Sequence, residues 1–287
     1  MQAVKESVTV WIEKNLELPS IPLVLTRIIQ VLDDNTASAR VLEDLILHDP
    51  SLSSRILKLA NSAFYSFRSE VKTISHAVAL LGLNLVKSLA IGVTIFESFT
   101  KGVKSEATLI NRLWMHSFGV GVLAKDIWIR RSTPREGEFA FLCGLLHDVG
   151  KGLFFKRDCV HYCHIFARNR SGAETDLCAS ERETYGSDHA TIGAMLAKHW
   201  GFPPELVAVI RRHHDALNSN LPLVAAVSMA DAFTRSAHIG YDGDRSLVSE
   251  VERLQAQLNM DEEEFEAMLA VANSRREDVE QFFKAQS

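Results

Sequence analysis

The chain has 287 residues, is 47% hydrophobic, and carries a formal net charge of −5 with a pI near 6.1. That is enough apolar material for one large domain or two ordinary ones, and the slightly acidic balance excludes polyanion binding by bulk charge. The four cysteines, Cys143, Cys159, Cys163 and Cys178, form no CxxC pair and are too sparse for a disulfide framework, which fits a reduced, cytoplasmic setting.

In chain order, the opening stretch MQAVKESVTVWIEKNLELPS alternates charged with apolar residues and is predicted to be helical. Neither export nor a membrane span is expected from it, and no run elsewhere reaches about 18 uninterrupted apolar residues. In Ser38-ARVLEDLILHDP, Val41, Leu42, Leu45 and Ile46 mark one helical face, and Pro50 forces a stop near His48. Asp49 is placed to cap the next helix, whose stripe is Leu52, Ile56, Leu57 and Ala60. After a break around Tyr65 to Lys72, Ile74-SHAVALLGLNLVKSLAIGVTIF predicts two helices, the first ended by Gly82 and the second begun by Asn84.

Further helices are expected in Asn111-RLWMHSFGVGVLAKDIW, Asp188-HATIGAMLAKHW, Pro204-ELVAVIRRHH, Leu221-PLVAAVSMADAFTR and Asp261-EEEFEAMLAVA, the last opening on a solvated acidic first turn. No comparable series of strand patterns occurs, so the predicted fold is all α. A linker-like region near Thr100 to Ala107 suggests an amino-terminal helical subdomain, residues 1–100, and a site-bearing helical subdomain, residues 101–287. A second polar break lies near Ala216 to Asn220.

The chemistry-bearing residues sit inside these apolar patterns. Phe139-AFLCGLLHDVGKGLFF-Lys156 reads as one buried helix that nonetheless contains His147, Asp148 and Lys151. An ionised carboxylate buried without a partner costs several kcal/mol or more, so Asp148 must be neutralised, solvated at a cleft or bound to a cation. His116, His189, the adjacent His213 and His214, and Asp231 are similarly placed. For Asp231 an ion pair with Arg235, one turn on, competes with a divalent metal shared with neutral imidazoles. Any one of these residues alone is compatible with an ordinary hydrogen-bonded side chain; together they favour a shared site. Lys151, one turn past His147 and Asp148, could meet an anionic ligand.

Two rival motifs are weak. Gly144-LLHDVGK has the wrong glycine spacing for a phosphate loop and follows no strand, and the crowded Cys159-VHYCH matches no zinc pattern. A helix-turn-helix reading of Ile74 to Ile91 offers only Lys87 as a base on its second helix, so DNA is a disfavoured partner.

The stretches Leu18-PSIPLV, His48-DPSLSSRILKLANSAFY, Ile74-SHAVALLGLNLVKSLAI and Gly144-LLHDVGK resemble the HDOD family, a branch of the HD-domain phosphohydrolase superfamily found in bacterial signalling, over roughly residues 15–235. The resemblance implies an all-helical, HD-like bundle with an added amino-terminal helical part, and a regulatory setting in which many members have lost their metal ligands. The superfamily's histidine, His-Asp pair and later aspartate fall here on His116, His147, Asp148 and Asp231. His189, His213 and His214 look like the additional histidines of HD-GYP phosphodiesterases, and Lys151 is similar to their phosphate-facing lysine.

The chain departs from the HD-GYP pattern after His214, which Asp215-ALNSNLP follows, and has Arg112 where trinuclear members have a glutamate. The resemblance therefore implies two divalent ions, with His116, His147, Asp148 and Asp231 on one, His189, His213 and His214 on the other, and Asp148 as bridge. Asp148 and Lys151 would be the catalytic residues. Iron or manganese suits this ligand set, and nickel, zinc or magnesium is compatible with it. Two functions follow as expectations: hydrolysis of a nucleotide, phosphomonoester or phosphodiester, or noncatalytic regulation through a signalling protein partner.

Overall fold

The computed structural model describes residues 23–30, 39–62, 65, 67, 69–100, 107–170, 176–241, 243 and 251–284. The helix expected in the opening stretch, the start of the Leu18-PSIPLV motif and the linker interior at 101–106 lie outside the described residues. Among the described residues every regular element is helical, as predicted.

The amino-terminal elements are α1 (Leu23–Gln30), α2 (Ala39–Leu47), α3 (Pro50–Ala60), α4 (Ile74–Leu81) and α5 (Leu83–Thr100). Asp49 separates α2 from α3, its carboxylate accepting from the backbone N–H of Ser51 at 3.0 Å and of Leu52 at 3.1 Å, with Pro50 in the first turn. The stripes of these helices bury Leu42, Ile46, Leu52, Ile56 and Leu59. Gly82 ends α4 at a φ of 87°, a conformation natural only to glycine, and turns the chain by 120°. The second helix therefore begins at Leu83, one residue before the expected Asn84.

Leu85, Val86, Lys87, Ser88, Leu89, Ala90 and Ile91 are all buried. The would-be recognition helix is core, which removes the helix-turn-helix reading. No single described helix is long and apolar enough to cross a membrane.

The remaining elements are α6 (Ala107–Ile129), α7 (Pro134–Leu146), α8 (Val149–Arg170, kinked at Asp158), α9 (Leu177–Tyr185), α10 (His189–His199) and α11 (Pro204–Arg212). A 3₁₀ turn at Ala216–Asn218 fills the second polar break before α12 (Pro222–Ser236), α13 (Val251–Gln257) and α14 (Glu262–Lys284). The segment Phe139 to Lys156 is not one helix: α7 stops at Leu146 and α8 starts at Val149, leaving His147 and Asp148 at the junction.

The 23-residue α6 packs on α7 and α12, while α10 packs on α8 and α11. Glycine allows the closest approaches. A Cβ on Gly150 would stand 2.0 Å from the His189 carbonyl oxygen and 2.8 Å from the Gly193 nitrogen, so α8 and α10 meet main chain to main chain. Meanwhile α5 touches α1 and α3 on one side and α7 and α8 on the other, so one apolar core runs from Leu25 to Phe283.

Candidate metal centre

Most of the candidate residues sit at helix ends. His147 caps the carboxyl end of α7, Asp148 precedes α8, His189 is the first residue of α10 behind its cap Asp188, and His213 and His214 follow α11. Of the candidate metal ligands, only His116, within α6, and Asp231, within α12, lie in helix interiors, and the packing of α12 on α6 brings them together. The termini expose side chains toward a common point without breaking a helical ladder.

The structure gathers His116, His147 and Asp231 in one cluster and Asp148, His189, His213 and His214 in a second, with the offered ligand atoms of each within 4.8 Å of one another. His116 Nε2 is 3.0 Å from Asp231 Oδ1. Asp148 Oδ1 faces His189 Nε2 at 3.3 Å and His213 Nε2 at 3.5 Å, while its Oδ2 faces His147 Nε2 at 3.4 Å and Lys151 Nζ at 2.6 Å. The two oxygens thus address different clusters. His189 Nε2 is also 3.4 Å from His213 Nε2 and 2.9 Å from His214 Nε2. All of these side chains are buried except that of His214, which is half-buried.

Hydrogen bonds on the far side of the rings decide what the near side offers. His147 Nδ1 donates to the Gly144 carbonyl at 2.7 Å and His213 Nδ1 to the Ile210 carbonyl at 2.8 Å. A neutral ring with its proton at Nδ1 presents a lone pair at Nε2. Acceptor atoms therefore converge on one another, and His147 Nε2, Asp148 Oδ1 and Asp231 Oδ1 are buried without a well-aligned hydrogen bond. Each such orphan costs about 1–3 kcal/mol unless something positive sits between them. This donor set suits divalent metal ions.

Two cationic side chains each contact one oxygen of an aspartate. Arg235 Nη2 lies 2.7 Å from Asp231 Oδ2, so the ion pair foreseen for that aspartate exists, but it occupies only one oxygen. Lys151, itself buried, has Asp148 as its partner instead of facing outward. Burial would raise the pKa of Asp148, but His147 and Lys151 outweigh it and hold the carboxyl well below its usual range. Asp231 is lowered likewise, Arg235 and His116 prevailing over burial.

The imidazoles divide. Burial would lower His147, yet the Asp148 carboxylate leaves it raised; His189 is raised well above the ordinary value because Glu181 outweighs burial. Burial pushes His213 down to about 4, and burial with the neighbouring His213 pushes His214 well below its usual value.

Sequence reasoning missed Glu181 and Cys178, which form a third cluster with His189. Glu181 hides in the charged run Ser180-ERE-Thr184, although its spacing of four from Leu177 and from Tyr185 puts it on the buried stripe of α9. Among the described residues, none of Cys159, His161, Cys163 and His164 joins a ligand cluster.

The HDOD domain family matches this chain over residues 18–216. An uncharacterized protein of Treponema pallidum (strain Nichols) is 27% identical over 231 residues, 76% of this chain and 42% of its own length. Ribonuclease Y of Geobacter metallireducens is 27% identical over 136 residues, 46% of this chain and 20% of its own. This chain thus spans less than half the length of either relative.

Among solved structures, an HDOD domain protein of unknown function from Geobacter sulfurreducens superposes with a TM-score of 0.75 at 25% identity, covering 93% of each chain. A Shewanella amazonensis SB2B protein provisionally named a phosphohydrolase gives 0.75 at 26% identity, covering 96% of this chain and 97% of its own. With the family match extending over most of its length and the same helical architecture in both solved relatives, this chain belongs to the HDOD domain family.

Proposed function

We propose that this chain is a signalling protein with metal-dependent phosphohydrolase activity toward a nucleotide, phosphomonoester or phosphodiester. One observation carries the reading: imidazole lone pairs and carboxylate oxygens converge on each other in two adjoining buried clusters. His116, His147 and Asp231 would hold one ion and His189, His213 and His214 the other, with Asp148 between them through its divergent oxygens. Bound divalent ions lower the pKa of a water and stabilise negative charge on a transferring phosphoryl group. Iron or manganese fits this mixed shell, with nickel, zinc and magnesium compatible.

Asp148 keeps its carboxylate ionised beside His147 and Lys151, as a ligand and acceptor must. Lys151 supplies the positive charge nearest to that carboxylate, from which it can turn to a nonbridging phosphoryl oxygen. The Ribonuclease Y relatives make an RNA phosphodiester the first substrate to try.

Metal analysis after anaerobic loading with iron or manganese, followed by hydrolysis of bis(4-nitrophenyl) phosphate and of a short RNA, tests the proposal. The loaded protein is expected to retain about two ions and to hydrolyse at least one substrate, and Asp148→Ala and His147→Ala to lose both properties. A loaded wild-type protein without metal would overturn it.

A second reading, a noncatalytic module that binds a signalling partner through the amino-terminal helices, draws on the burial of Lys151 and its engagement with Asp148. It predicts partner capture that is undiminished by His147→Ala and no hydrolysis by the metal-loaded chain.

A further inference from the structure

We propose that Glu181 and Tyr162 are positioning residues for one metal position only, the one formed by Asp148, His189, His213 and His214. The inference rests on the metal-binding reading above and adds to it a support outside the ligand set.

Glu181 is wholly buried in α9, yet its partners are not those of a metal ligand. Its Oε2 accepts from the backbone N–H of His189 at 2.7 Å and from His189 Nδ1 at 2.7 Å, and its Oε1 accepts from the Tyr162 hydroxyl. A carboxylate only accepts, so a proton must reside on His189 Nδ1, and the opposite nitrogen turns toward Asp148, His213 and His214. One oxygen grips both the main chain and the ring of the same residue, which fixes the ring's direction. Cys178 Sγ, 3.9 Å from His189 Nδ1, completes a trio of potential ligands, but His189 Nδ1 is already spent as a donor to Glu181 Oε2 and has no lone pair to offer, so the trio is a support and not a third metal position.

Tyr162 is held in turn by rings, with centroids 5.1 Å from Phe154, 4.8 Å from Phe155 and 5.0 Å from Phe166. The contrast with two other imidazoles gives the idea its specificity. His147 and His213 are oriented by carbonyls three residues back in their own chain segment, whereas His189 depends on side chains from α8 and α9. A charge-assisted bond to a carboxylate is also stronger than one to a carbonyl.

The test is calorimetric titration of the full chain with Mn²⁺, comparing wild type with Tyr162→Phe, Glu181→Gln and Glu181→Leu. Two binding events are expected in the wild type. Glu181→Leu should weaken one of them by about 100-fold and leave the other in place; Tyr162→Phe should weaken the same one by about 10-fold. Glu181→Gln, which keeps an accepting oxygen, should recover part of the loss. In metal-free protein, ¹⁵N NMR should show a hydrogen-bonded Nδ1–H on His189 in the wild type and its loss in Glu181→Leu.

Equal weakening of both events, or no weakening in any variant, would overturn the inference while leaving the metal-binding reading intact. A wild type that binds no Mn²⁺ would overturn both. Tyr162→Phe keeps the packed ring, so it decides the matter if Glu181→Leu does not fold.

Discussion

Two regions of the single core, α2 to α4 and α6 to α12, are buried by opposite means. In α2 to α4 the buried side chains are apolar throughout: Leu42, Ile46, Leu52, Ile56, Leu59, Ala60, Ile74 and Ala77. In α6 to α12 a comparable apolar framework encloses His116, His147, Asp148, Lys151, Glu181, His189, His213 and Asp231. The first region gains from excluding water whatever else is present. The second carries charges and lone pairs whose burial is costly unless each finds a partner, and His147 Nε2, Asp148 Oδ1 and Asp231 Oδ1 are buried without an aligned hydrogen bond. Such an arrangement costs stability unless a cation fills it.

That contrast can be broken most directly at the cluster. Asp148→Ala should reduce phosphoester hydrolysis by about a thousandfold and should abolish stoichiometric metal retention, measured by initial rates and elemental analysis. In the amino-terminal region, Leu42→Ala should cost about 2–5 kcal/mol in a denaturant melt while leaving bound metal per folded molecule unchanged. Loss of metal in that variant would show that the two regions are not separable.

Chelation should reverse the pattern. Removing an ion present at about 100 times its Kd should lower stability by about 2.7 kcal/mol, with the extra hydrogen exchange concentrated in α6 to α12 and little change in α2 and α3.

The smallest effect concerns protons. His147 and His189 have raised pKa values, so at pH below those values an ion binding there would have to displace a proton from each Nε2 atom. Below those raised values affinity falls as pH drops, by about tenfold per unit for each proton displaced, and it levels off above them. Calorimetry in buffers of different ionisation enthalpy should register the released protons.

Much of the fold was legible because periodicity and capping act locally. Asp49 with Pro50, and Gly82, announced their helix boundaries from residue type alone. The convergence of the histidines and aspartates was also visible, since polar residues within apolar stripes need a shared explanation. The break at His147 and Asp148 was not, because the surrounding sequence is apolar enough to continue a helix and contains no proline. Glu181 was missed because charged neighbours, Arg182 and Glu183, made its segment resemble a solvated surface; what identifies it is a bond to a residue in the next helix, and that depends on how α9 turns into α10.

The approach of Gly150 to His189 sets a tolerance for everything around it. Because two backbones touch there, a single added methyl would act as a wedge, prying the helix that follows Asp148 away from the helix that begins at His189. A relative with every named ligand in place but alanine at this position would look competent on paper and chelate poorly. In searching for chains that share this chemistry, the small residue two places after the aspartate therefore says as much as the histidines themselves.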